Sequence, residues 1–216
     1  MLHRIFDLLA PPSCASCDLE LAAKRPVLFC AGCAATVERA PLGSAAAFLY
    51  GGAVAEAITR MKYGDRADLA SRLGAALASA DVIARLRGRI DAVVPVPLHA
   101  ARLAERGYNQ STLLAIPVAR ALGVPIRPRV LVRTTHTPRQ AGLDRAARLT
   151  NVRGAFRVCD RRLFSARVAL IDDVRTTGAT LTACAEALTS AGVREVAPVV
   201  LAVRDDELHG ARAEAL

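Results

Sequence analysis

Residues 168–180 read VALIDDVRTTGAT. The apolar run 168–171 predicts a buried strand that ends at Asp172 and Asp173. Val174, Arg175, Thr176, Thr177, Gly178, Ala179 and Thr180 then turn directly into a helix. Such a turn offers backbone N–H groups, hydroxyls and a helix N-terminus, which together cradle an anion. Gly178 lets the backbone approach a phosphate closely. Two carboxylates beside the cradle suit a pair of sugar hydroxyls, which donate hydrogen bonds to them. A phosphate at one end and a diol at the other describe a ribose 5-phosphate. An acidic cap pair before an ordinary helix is the plainer reading, and it would not require the threonines and the glycine as well.

The same pattern continues on both sides. Upstream, DAVVPVP (91–97) is another buried strand, and a helix spans 109–122 until Gly123 and Pro125 stop it, with Pro117 expected to kink it. Downstream, GATLTACAEALTSAG (178–192) is a helix and EVAPVVLAV (195–203) a final strand. Nearer the amino terminus, Phe48–Gly52 reads as a strand and turn, followed by helices over about 54–61 and 69–87, the second containing Gly74. IRPRVLV (126–132) and GAFRV (154–158) are strand-like and flank a polar, arginine-rich stretch, 134–153. Strands alternating with helices predict an α/β fold with an open parallel sheet. Ligands bind such sheets at the carboxyl ends of the strands.

Four of the six cysteines form two knuckles, Cys14-Ala-Ser-Cys17 and Cys30-Ala-Gly-Cys33, twelve residues apart. This spacing places four thiolates around one structural zinc ion, with no open position for catalysis. Two disulfides are the rival use, disfavoured in a reducing compartment. A module of about forty residues buries little core, so the metal would supply much of its folding free energy. The expected organisation is a zinc ribbon with a short amino-terminal helix over 1–40 and an α/β domain over 41–216. Cys184, at helical spacing with Leu181 and Leu188, reads as a buried structural thiol.

The formal charge is +9. Residues 1–40 balance, with Arg4, Lys24, Arg25 and Arg39 against Asp7, Asp18, Glu20 and Glu38, so the excess lies downstream. Residues 127–157 hold eight arginines against Asp144 alone. That field attracts polyphosphates and nucleic acid alike. No stretch approaches the roughly 18–20 apolar residues of a membrane span. Arg4 and Asp7 interrupt the opening MLHRIFDLLAPP, which is too short and mixed for a secretory signal. A cytoplasmic location is expected, with any place at the inner membrane borrowed from a partner.

The 168–180 segment closely resembles the motif by which type I phosphoribosyltransferases bind phosphoribosyl pyrophosphate (PRPP). The resemblance implies that Asp172 and Asp173 bind the ribose hydroxyls and that Thr176, Thr177, Gly178, Ala179 and Thr180 hold the 5-phosphate, with the role of Arg175 open. The strand end at Val96-Pro97 looks like the pyrophosphate loop of that group. Pro97 has no N–H to donate, so Leu98, His99 and neighbouring side chains would supply contacts, with Arg102 and Arg106 as candidates for the pyrophosphate charge and Mg²⁺ bridging. For His99 an ordinary surface role stands ahead of a catalytic acid. ITRMKYGDRADLA (58–70), ERGYNQS (105–111) and the spaced set Arg133, Thr137, Gln140, Leu143, Arg148, Asn151 and Phe156, taken with the cysteine knuckles, resemble the ComF family. Those proteins are linked to natural transformation and related to GntX-type phosphoribosyltransferase-like proteins. Val132 stands where relatives often carry a basic residue.

The resemblance implies a type I phosphoribosyltransferase fold behind a zinc ribbon. It also implies a role in handling incoming single-stranded DNA, with DNA-uptake machinery proteins as partners. It supplies no acceptor. The stretch 134–153 occupies the place of a mobile loop in many relatives, so Arg139, Arg145 and Arg148, with Arg133 and Gln140, are candidates to cover pyrophosphate or grip nucleic acid; a solvated basic surface is the plain alternative. Lys62 and Tyr63 lie near the expected hood, where contact with an acceptor base competes with core and surface roles. With five phenylalanines and three tyrosines, a stacking platform for single strands would be sparse. Three functions compete. One is a transferase, including a nucleotide-salvage enzyme passing phosphoribosyl to a nitrogen acceptor. Another is a binding protein that keeps the pocket without turnover, and the last is a zinc-ribbon scaffold on a degenerate body.

Overall fold

The computed structural model describes residues 13–21, 27–64, 66–135, 154–160 and 163–205. The elements in chain order are α1 (Ala31–Ala34), β1 (Ala46–Leu49), α2 (Gly52–Tyr63), α3 (Ala67–Ala78), α4 (Asp81–Leu86), β2 (Ala92–Pro95), α5 (Ala100–Arg106), α6 (Gln110–Leu122), β3 (Leu131–Arg133), β4 (Phe156–Val158), β5 (Arg167–Arg175), α7 (Ala179–Ser190) and β6 (Glu195–Val203). β1, β6, β5 and β2 form one parallel sheet in that order. The α/β architecture expected from the sequence is therefore observed. β3 and β4 pair antiparallel as a separate ribbon.

Both faces of the sheet are covered, which is why its strands read as continuous apolar runs. Val93, Ala169, Ile171, Val199 and Leu201 pack on the side of α2, α3 and α6, among Ile58, Met61, Leu73 and Leu114. Their alternate neighbours Val94, Val168, Leu170 and Val200 face Leu181, Cys184 and Leu188 of α7. Cys184 is fully buried, as its helical spacing implied.

Several element boundaries differ from the expected ones. The strand expected to end at Asp172 and Asp173 runs on to Arg175, because β6 continues beside it to the Arg175–Val203 pair. Its pairing with β2 stops at Pro95–Ile171, and the N–H of Val96 makes the last bond to the Ile171 carbonyl. Asp172 and Asp173 thus lie within the strand, on a length whose β2 side is left open. The helix expected over 69–87 is two, α3 and α4. Ser79 turns its hydroxyl back on the Ala75 carbonyl, and Ala80 is extended. α5 was not anticipated; Gly107, at φ 78°, ends it. Pro117 lies inside α6, beside Gly74 of α3. The amino-terminal helix and most of the 134–153 stretch fall outside the described residues.

The cysteine segment packs directly on this body. Cys14, Ala15 and Phe29 share the core of α2 and α3. Arg60 donates to the Ser16 carbonyl at 2.9 Å, and Arg72 donates to the carbonyls of Ser13 (2.7 Å) and Val27 (3.0 Å). Asp18 is gripped by both Arg60 and Arg66.

Candidate functional site

The carboxyl ends of the sheet strands open into a cleft of about 340 Å³. β5 and the turn after it contribute Asp172, Asp173, Val174 and Thr176, and α7 contributes Thr180. Val96, Pro97, Leu98 and Arg102 enter after β2, Gln110 and Ser111 from the start of α6, and Lys62 from the end of α2. Arg133 follows from β3, while Tyr50 and Arg204 close the far end after β1 and β6.

Asp172 and Asp173 are the charged residues buried here, 9% and 4% exposed. One oxygen of Asp172, Oδ1, accepts from the Ser111 hydroxyl and from the Asp173 N–H, both at 2.9 Å. Lys62 Nζ lies 2.9 Å from Asp173 Oδ1. Asp173 Oδ2 is buried and accepts no hydrogen bond. A buried carboxylate oxygen without a donor is costly unless a ligand supplies one. Burial first, and then the neighbouring Asp173 charge, push the Asp172 carboxyl up to about 7. In its ionised form the pair can accept hydrogen bonds from hydroxyl donors.

Beyond Arg175 the chain turns through Thr176, Thr177 and Gly178 into α7. Gly178 caps the helix at φ 73°, a left-handed conformation that glycine adopts without strain. Thr176 and Thr180 face the cleft. Thr177, Gly178 and Ala179 form the turn beneath them, and Ala179 is buried. Arg175 does not line the cleft; its carbonyl accepts from the Arg204 N–H at 3.2 Å, and its Nε is buried without a hydrogen bond.

ERGYNQS braces the site from the other side. Asn109 accepts from the Ser111 N–H at 3.0 Å, capping α6, and its amide donates to the Val96 carbonyl at 3.0 Å. Tyr108 donates its hydroxyl to the Met61 carbonyl, next to Lys62. Arg106 stands outside the cleft, donating to Gln110 Oε1 at 2.6 Å and lying 5.4 Å from the Tyr63 ring. His99 is not in the cleft lining either; its Nδ1 accepts from the Ala101 N–H at 3.2 Å and starts α5. Of the other residues proposed for pyrophosphate or nucleic acid, Arg102 and Arg133 line the cleft, while Arg139, Gln140, Arg145 and Arg148 lie outside the described residues. Gln110 and Ser111 lie within the ERGYNQS segment quoted from the sequence but were given no role there, and Tyr50 and Arg204 were not singled out. Tyr50 and Arg204 follow strands directly, so the rule that ligands bind after strands would have found them.

The four cysteines form a second candidate centre. Their sulfurs all lie within 4.8 Å of one another, and Cys17 and Cys30 are 3.8 Å apart. Tetrahedral Zn–S bonds of about 2.3 Å require sulfurs ~3.8 Å apart, so the donor set fits zinc in chemistry and in spacing. The Cys30 N–H donates to Cys14 Sγ at 3.3 Å. Burial opposes ionisation of Cys14, but the backbone N–H groups of Cys30, Cys17 and Ser16 outweigh it and bring the thiol down to about 6.

No family model matches the chain. Competence protein F of Haemophilus influenzae is 40% identical over 108 residues, 49% of this chain and 47% of that protein. The DNA utilization proteins YhgH of Salmonella typhimurium and Escherichia coli K12 are 31% and 32% identical over 142 residues, 64% of this chain and 62% of each. The chain therefore spans about half to three fifths of the curated relatives it matches. Among solved structures it is similar to glutamine PRPP amidotransferase from B. subtilis, at 24% identity and TM-score 0.41, covering 61% of this chain and 25% of that one. It is also similar to purine phosphoribosyltransferase from Pyrococcus horikoshii, at 19% identity and TM-score 0.39, covering 62% and 73%.

Proposed function

We propose that this chain, a homologue of Competence protein F and of the YhgH DNA utilization proteins, binds PRPP in the cleft and serves the handling of incoming single-stranded DNA. The observation that carries the reading is the buried, donor-free Oδ2 of Asp173 beside Asp172, one short turn before the α7 N-terminus. In this reading the ribose hydroxyls donate to the two carboxylates. The 5-phosphate rests on Thr176, Thr180 and the N–H groups of the turn. The pyrophosphate lies toward Val96–Leu98 with Arg102 as its counter-charge. Mg²⁺, arriving with the pyrophosphate, supplies further charge neutralisation. Zinc held by Cys14, Cys17, Cys30 and Cys33 keeps the amino-terminal turns in place and takes no part in the chemistry.

The arginine excess supports the nucleic-acid half of the reading. Among the described residues no helix is long and apolar enough to cross a membrane. Fluorescence anisotropy of a labelled oligonucleotide, read across a salt series with and without PRPP and Mg²⁺, tests that half. Binding that weakens steeply, with a log–log slope of about −0.7 per phosphate contacted, is expected. Salt-insensitive or absent binding removes the DNA role. ³¹P NMR of PRPP with a panel of nitrogen acceptors decides between the two uses of the pocket. Pyrophosphate release marks a transferase, and PRPP that stays bound and unchanged marks a binding protein.

A further inference from the structure

We infer that the cysteine module positions the acidic pair through α2, with Arg60 as the positioning residue, so that zinc in the knuckles and ligand in the cleft strengthen each other's binding. The ligand half rests on reading the acidic pair as the ribose subsite for PRPP. α2 is seated on one knuckle at each of its ends. At its start, the Thr36 hydroxyl donates to the Cys33 carbonyl at 2.9 Å and accepts from the Ala53 N–H at 3.0 Å. Gly52 closes the gap there, since a Cβ on it would sit 2.5 Å from the Thr36 carbonyl oxygen. At its end, Arg60 donates to the carbonyl of Ser16, between Cys14 and Cys17, at 2.9 Å and pairs with Asp18.

The same last turn reaches the cleft. Arg60, Met61 and Lys62 are consecutive, and each meets a different part of the fold. The Met61 carbonyl accepts from the Tyr108 hydroxyl, and Lys62 Nζ lies 2.9 Å from Asp173 Oδ1. Asn109, next to Tyr108, caps α6, and Ser111 in the first turn of that helix donates to Asp172. Both carboxylates therefore have a partner whose place depends on the end of α2. A displacement of about 1 Å stretches such contacts beyond hydrogen-bond range. Once Lys62 is lost, Asp173 stands buried beside Asp172 with its counter-charge removed, and a polyphosphate anion is repelled. Arg72 gives the contrast. It donates to the Ser13 and Val27 carbonyls of the same module, but from α3, none of whose residues line the cleft.

The test uses the full chain as zinc-loaded wild type, Arg60→Gln and Arg72→Gln, and as wild type stripped by a chelator, each checked for folding by circular dichroism. Lys24 and Lys62 are the two lysines, so acetylation by an N-hydroxysuccinimide ester, mapped by mass spectrometry, reads Lys62 with no ligand present. Lys62 should acetylate about tenfold faster in stripped protein, faster than wild type in Arg60→Gln, and at the wild-type rate in Arg72→Gln. PRPP with Mg²⁺, titrated by calorimetry, should bind stripped protein about tenfold more weakly. Saturating PRPP should raise zinc affinity by the same factor in equilibrium competition with a chromophoric chelator, and that gain should vanish in Asp172→Asn/Asp173→Asn. Lys62 acetylation unmoved by zinc and by Arg60→Gln, or moved equally by Arg72→Gln, overturns the positioning role. Equal PRPP affinity in loaded and stripped protein overturns the mutual strengthening. If stripped protein unfolds, zinc-loaded Arg60→Gln against Arg72→Gln decides both. PRPP binding that is absent while Lys62 still responds to zinc and to Arg60→Gln overturns the ribose reading and leaves the positioning by α2 standing.

Discussion

Lys62 and Asp173 meet at 2.9 Å across the end of the sheet, so the last turn of α2 is tied to the acidic pair of β5. Arg60, two residues earlier on α2, holds the Ser16 carbonyl in the first cysteine knuckle. One helix therefore touches both candidate centres.

Replacing Lys62 with Met leaves a buried carboxylate without its counter-charge. Removing one partner of a buried pair is the costly case, and a loss of about 2–4 kcal/mol is expected in urea unfolding. Lys62→Arg should recover part of it. A loss below about 0.5 kcal/mol, typical of an exposed pair, would contradict the burial described.

The raised carboxyl of Asp172 makes stability and binding depend on pH in opposite senses. Unfolded, the group ionises near its ordinary value of 3.8; folded, near 7. Between those values the folded chain holds the extra proton, so this residue's contribution falls as pH rises through the window. Asp173, Lys62, Ser111 and the Arg133 charge all act on it. Hydroxyl donors favour the carboxylate, so PRPP affinity should rise with pH up to about 7 and then level, with proton release below it. Melting curves of Asp172→Asn against wild type, and calorimetry in buffers of different ionisation heat, check both. Affinity that falls over the same window contradicts the hydroxyl-acceptor role.

Ser111→Ala removes a hydroxyl that stabilises the ionised form of Asp172. The expected cost is about 1 kcal/mol of stability, with the midpoint of the PRPP pH profile moved upward. A merely structural serine would leave that midpoint in place.

Native mass spectrometry should find one zinc per chain. Chelation, or Cys17→Ser, should lower the melting temperature by about 5 °C or more, since Cys14, Ala15 and Phe29 belong to the core of α2 and α3. A full-length protein that holds no metal and melts unchanged contradicts the assignment.

Gly74→Ala tests the packing of α3 on α6. A Cβ there would sit 2.9 Å from the Leu114 carbonyl oxygen, so backbone must move. A loss of about 1–3 kcal/mol is expected despite the better helix propensity of alanine.

Much of this was legible in the sequence for specific reasons. Continuous apolar runs such as 168–171 announce strands buried on both faces, and the doubled CxxC announces a clustered thiol set. The acidic pair and the turn after it were visible because strand, carboxylates, threonines and glycine are contiguous. What stayed hidden was set by tertiary partners. The extension of β5 to Arg175 depends on β6. The bond from Ser111 to Asp172 joins residues 61 apart. His99 and Arg106 carried suggestive charge, yet their side chains are used to cap α5 and to hold Gln110.

If Asp172 and Asp173 form a ribose subsite, PRPP binding depends on their two carboxylates together. Calorimetric titration of zinc-loaded protein with PRPP and Mg²⁺, wild type against Asp172→Asn/Asp173→Asn, tests it most directly. Saturable binding by wild type and at least about a hundredfold loss in the folded double variant are expected. No heat from folded wild type, or equal affinity in the two proteins, would contradict it.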